Sequence, residues 1–113
     1  MAYDEGLAQR VREALQDHHA VVESVVEKKM FGGIGFMVRG NLCCGVLRDD
    51  LIVRVGPAGY AAALAQPHAR LFDITGRPMT GWVMVAPEGY ASDEALEEWV
   101  RQGVEFAHSL PAK

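Results

Sequence analysis

The chain has 113 residues, half of them hydrophobic and 23% charged, which suits one soluble folded domain spanning residues 1–113 and excludes a disordered chain. Eleven Lys+Arg against fifteen Asp+Glu give a net charge of −4, a balance that argues against a general binder of nucleic acid. No apolar run is long enough to span a bilayer, and the acidic opening Met1–Gly6 is unlike a signal peptide, so a cytoplasmic protein without membrane contact is expected.

Residues 4–17 carry Leu7, Val11, Ala14 and Leu15 at helical spacing, with Asp4 placed to cap the first turn, and predict a helix. His18 and His19 follow where that helix ends. Neighbouring side chains on a helix point about 100° apart, so the pair is a poor chelator and no metal site is expected. From Val21 to Val55 the chain turns to Val, Ile, Phe, Met and Gly, broken by Gly40-Asn41 and Asp49-Asp50. Those dipeptides suit two-residue hairpin loops, and the segment predicts a meander of three or four strands.

With those loops the register places Met37 opposite Cys44, Gly35 opposite Val46 and Val46 opposite Val53. One face then carries Gly33, Gly35, Met37, Leu42, Cys44, Val46, Leu51, Val53 and Val55, and the other Ile34, Phe36, Val38, Cys43, Leu47, Ile52 and Arg54. Both faces are largely apolar, so one sheet face is expected to form a homodimer or to dock a partner. Ala58–Gln66 predicts a short helix, Leu71–Ile74 a short strand and Thr80–Ala86 a clear one. A last helix begins after a Ser92 cap, carries the stripe Leu96, Trp99, Val100, Gly103, Ala107 and Leu110, and stops at Pro111. The order predicts an α+β, two-layer fold: a mainly antiparallel sheet of four to six strands with three helices.

The chemistry is sparse. Gly32-Gly33-Ile34-Gly35 lacks the third glycine of a dinucleotide fingerprint and the Gly-Lys-Ser/Thr of a P-loop, so no cofactor is expected. Cys43 and Cys44 lack zinc spacing and, on opposite faces of one strand, would neither pair nor share a metal. Lys28-Lys29 beside Phe31, with Arg39 and Arg54, form a candidate basic docking patch for an acidic partner or phosphates. Between Lys28 and Arg77 seven bases outnumber three acids, whereas the two ends hold four bases and twelve acids. No catalytic constellation is evident, and no enzyme is expected.

Lys28–Val38, Gly40–Val46, Leu51–Pro57 and Thr75–Val83, taken in order, resemble the amino-terminal domain of the TfoX/Sxy family over nearly the whole chain. The resemblance implies a secretion-chaperone-like α+β fold. For longer members, which carry a further C-terminal helical domain, it implies regulation of natural competence together with the cAMP receptor protein. This chain, ending at Lys113, corresponds to a stand-alone amino-terminal domain. The resemblance implies no catalytic residues. The leading expectation is a regulatory or protein-interaction module with a protein partner in transcription regulation and weak or no direct nucleic-acid binding. A small nucleic-acid binder using Lys28–Arg77 and a thiol enzyme using Cys43 or Cys44 are the alternatives.

Overall fold

The computed structural model describes residues 3–17, 25–30, 32–73 and 76–111. The expectations for His18, His19, Val21–Ser24, Phe31 and Ile74 lie outside the described residues. Helix α1 (Glu5–Gln16) starts where expected, with the Asp4 carboxylate accepting a hydrogen bond from the Leu7 N–H and one orphan donor of the first turn thereby satisfied. Four strands follow, β1 (Val25–Met30), β2 (Gly33–Val38), β3 (Asn41–Leu47) and β4 (Asp50–Arg54). A short α2 (Tyr60–Leu64), β5 (Ala69–Leu71), β6 (Trp82–Val85) and a long α3 (Asp93–Ser109) complete the chain. At α3 the Ser92 hydroxyl accepts from the Ala95 N–H. The sheet is antiparallel throughout, ordered β1-β2-β3-β4-β6-β5, and the α+β fold agrees with the sequence reading. No helix among the described residues is long and apolar enough to cross a membrane.

Two hairpin loops differ from expectation. They are Arg39-Gly40 and Arg48-Asp49, one residue earlier than the dipeptides the sequence favoured, so Val38 pairs with Asn41 and Leu47 with Asp50. Arg39 (φ 54°) and Gly40 (φ 84°) take the left-handed backbone that a tight hairpin demands. Asn41 is drawn into β3, nearly fully buried, because its side-chain amide donates to the Pro111 carbonyl at 3.0 Å beyond α3. The β2–β3 register also shifts between Phe36 and Met37, leaving Cys43 as the extra residue of a β-bulge.

The bulge re-sorts the faces, whereas moving a loop by one residue changes the pairing by two and keeps the alternation. Ile34, Phe36 and Val38 join Cys44, Val46, Leu51 and Val53 beneath α1 and α3, in one core with Leu7, Val11, Leu96, Val100 and Val104. Gly35, Leu47 and Ile52 fall on the opposite, helix-free side. The bulge turns Cys43 inward as well. Both cysteines are free and fully buried, their sulfurs 3.7 Å apart, rather than on opposite faces as the plain alternation implied. The strand expected at Leu71–Ile74 lies earlier, at Ala69–Leu71, because Phe72 leaves the ladder to pack with Ile52 and Met84 on the helix-free side.

An ion pair joins the first helix to the edge strand. Arg12 donates to both Glu27 oxygens, from Nε at 2.6 Å and Nη2 at 2.8 Å, and this hydrogen bonding holds the Glu27 carboxyl below its ordinary range. A lowered folded-state pKa contributes stability that is fully present above the unfolded value of ~4.3 and is lost as the pH falls through the folded value. Both side chains are about one-third exposed, so the pair is worth at most ~1 kcal/mol. Glu27→Gln is therefore expected to lower stability by about 0.5–1 kcal/mol at neutral pH. Urea unfolding should show that difference vanishing in acid, where the wild-type carboxyl is protonated as well; a deficit that persisted in acid would point to packing instead.

Candidate interaction surface

Among the described residues the helices cover one face of the sheet and leave the other without a helical layer. On that open face one cross-strand row runs the full width of the sheet, Lys28–Gly35–Gly45–Ile52–Met84–Arg70, each residue opposite the next. Two glycines side by side bring no side chain of their own to the middle of that row, and Leu42 and Met30 lean over Gly35 instead. A Cβ on Gly35 would come within 2.7 Å of Leu42 Cδ1, and one on Gly45 within 2.7 Å of the Ile34 carbonyl oxygen. The result is an apolar groove with about 50 Å³ of free volume, lined by Met30, Leu42, Leu47, Ile52, Phe72, Met79 and Trp82 beside the two glycines. The connection from β5 to β6 forms one wall, where Phe72 and Trp82 stack with ring centroids 5.8 Å apart. Met37 and Met84 share this face by register, so four of the five methionines of the chain lie on it. Methionine is unbranched and polarisable, which suits an adaptable contact surface.

Charge is divided between the two sides. The helical layer presents Asp4, Glu5, Glu13, Asp17, Asp93, Glu94, Glu97, Glu98 and Glu105 against Arg10, Arg12 and Arg101. Asp17 and Glu97 stand close enough that a hydrogen bond between them raises the Glu97 carboxyl above its ordinary range. The open face carries Lys28, Arg54 and Arg70, with Arg77 on the adjoining loop, against Asp50 and Asp73. Arg70 is paired with Asp50 at 2.7 Å. Arg54 spreads its guanidinium over Trp82 and Phe106, 5.2 Å from each ring centroid.

Of the five residues expected to form a basic patch, the four that are described are dispersed. Lys28 points to the open face, while Lys29, opposite Ile34, points to the helix side of the same edge strand. Arg39 donates to the His108 carbonyl at the end of α3, Arg54 lies over Trp82, and Phe31 is outside the described residues. Strand alternation alone separates the two lysines, and this was readable from the sequence once the segment was taken as a strand. The apolar floor beside Lys28 was missed, because it depends on Gly35 meeting Gly45 across strands.

The thiols occupy a poor place for chemistry. The sulfur–sulfur hydrogen bond shared with Cys43, together with complete burial, pushes the Cys44 thiol well above its ordinary range, which disfavours the thiolate a nucleophile needs. No cation is bonded to either sulfur among the described residues, and Gly103 of α3 closes over Cys43. Alkylation in the native state at neutral pH is expected to run at least about a hundredfold slower than in an unfolded control. A native rate matching or exceeding the control would restore a reactive thiol. Among the described residues no three His, Cys, Asp or Glu side chains gather as a metal site.

A two-layer α+β domain with a helix-covered core and a methionine-lined second sheet face, shielded in part by the β5–β6 connection over Ile52 and Met84, is the class these observations define. The TfoX N-terminal domain model matches residues 13–107, and the chain belongs to that family. No curated protein and no solved structure matches the chain.

Proposed function

We propose that this protein is a non-enzymatic, cytoplasmic regulatory module that works by docking another protein on the open face of its sheet, in the control of transcription that the TfoX family serves in competence. The observation that carries this reading is the groove itself. A recess of about 50 Å³ floored by two facing glycines and lined by half-buried Met30, Leu47, Met79 and Trp82 is a preformed apolar site on the sheet face that the helices leave free. The family membership supports the regulatory part of the reading. Burial of both thiols supports the non-enzymatic part.

A nucleic-acid reading draws on Lys28, Arg54, Arg70 and Arg77, which share the open side. The protein reading is favoured because Arg70 is already neutralised by Asp50 and the surface between the cations is apolar rather than polar. Affinity capture from the native cell extract, with and without nuclease, separates the two. A protein retained after nuclease treatment and lost with Met79→Glu supports the proposal. Capture that is abolished by nuclease, or unchanged by Met79→Glu, counts against it.

A further inference from the structure

We infer that the groove receives an acidic, amphipathic peptide segment lying across the strands, its bulky apolar side chains between Met30 and Met79 and its carboxylates meeting Lys28 at one edge and Arg77 and Arg54 toward the other. The inference rests on the reading of the open face as a protein-docking surface and adds the chemistry of the occupant. The cross-strand row runs from the unpaired Lys28 on β1 through glycine and apolar residues to Arg70 on β5, which Asp50 already holds. Ile52 and Met84 are buried beside Phe72, so the accessible part runs three inter-strand steps of ~4.8 Å from Lys28 to Ile52, about 14 Å, the length of about four extended residues. Lys28 and Arg77 are exposed, and Lys28, Arg54 and Arg77 have no carboxylate partner among the described residues. Charge sign selects the occupant. A second copy presenting the same face would set this cationic surface against another of the same sign, and like charges held together at an interface oppose association. A polynucleotide would satisfy the cations but leave Met30, Met79 and Trp82 without apolar partners. A segment with Leu or Phe flanked by Asp or Glu satisfies both, and the methionines can repack around either side chain.

The test uses the whole protein and two fluorescein-labelled peptides of about ten residues, each with a Leu-Phe centre, one flanked by Asp and Glu and the other by Lys. Fluorescence anisotropy at low salt is expected to show the acidic peptide binding at least about tenfold more tightly than the lysine isomer. The double variant Lys28→Glu with Arg77→Glu, both exposed positions, should remove that preference, and Met79→Glu should weaken the acidic peptide about tenfold or more. Met79→Ser, checked for an unchanged circular dichroism spectrum, provides a second groove variant. Equal binding of the two peptides, or a stronger lysine isomer, overturns the inference. So does displacement of the acidic peptide by a single-stranded oligonucleotide at lower concentration. A dimer seen by light scattering that the acidic peptide fails to dissociate also overturns it, by giving the face to a second copy. If the acidic peptide fails while affinity capture still depends on Met79, only the acidic chemistry falls and the docking surface stands.

Discussion

Phe36→Ala is expected to lower the unfolding free energy by about 3–5 kcal/mol, the largest single effect in the molecule. Phe36 is wholly buried, pairs across to Cys44 on β3, and belongs to the core that α1 and α3 close over. Its removal loses the transfer energy of the ring and leaves a cavity that the surrounding strands cannot collapse into. Against a total of ~5–15 kcal/mol for a domain, the variant would be marginal, with a Tm lower by roughly 15–25 °C. Urea unfolding with an unchanged slope is the measurement, and a loss under about 1 kcal/mol would mean that Phe36 faces solvent and that the register is wrong.

Gly103→Ala is expected to destabilise by about 1–3 kcal/mol although alanine is the better helix former. A Cβ at that position would lie 2.5 Å from the Cys43 carbonyl oxygen and 3.3 Å from its sulfur. The nearest obstacle is backbone, so α3 would have to lift from β3, which also disturbs Val100 and Val104 on either side of the contact. The gain in helix propensity, ~1 kcal/mol, does not offset that displacement. Thermal unfolding decides the sign, and a stabilised variant would show that helix and bulge are further apart than described.

The same glycine shows what was legible in the sequence. Gly103 stands in the apolar stripe of α3 and the Ser92 cap marks its start, so the helix and its buried face could be read directly. The meander was legible too, because hydrophobic β-branched runs between polar dipeptides have few other readings. Its register was not. Gly40-Asn41 and Arg39-Gly40 both contain a glycine able to turn, and what selects the second is remote: Asn41 finds the Pro111 carbonyl some seventy residues away. Moving each loop by one residue leaves the faces as they were, and the bulge at Cys43 is what brings Ile34, Phe36 and Val38 onto the face of Cys44, Val46, Leu51 and Val53. The bulge at Cys43 then turns a second cysteine inward, which no alternation rule anticipates.

The charge reading fared differently. The basic middle and acidic ends of the chain become the sheet and the helical layer, since the strands come from the middle and α1 and α3 from the ends. What could not be read was which cations share a side. Lys28 and Lys29 diverge, Arg39 is taken up by a helix terminus, and Arg77 is an exposed residue two positions before Met79, which lines the groove. The methionines at 30, 37, 79 and 84 were the available signal, but their common face appears only when β1, β2 and β6 are placed in one sheet.

That the open face is the docking surface is tested most directly by labelling the methionine and alanine methyl groups with carbon-13 and recording their spectrum with and without the captured partner at saturation. The signals of Met30 and Met79 are expected to shift or broaden while those of Ala95 on α3 and Ala61 on α2 stay in place. Unmoved methionine signals with displaced Ala95 and Ala61 signals would assign the interface to the helical layer and contradict it.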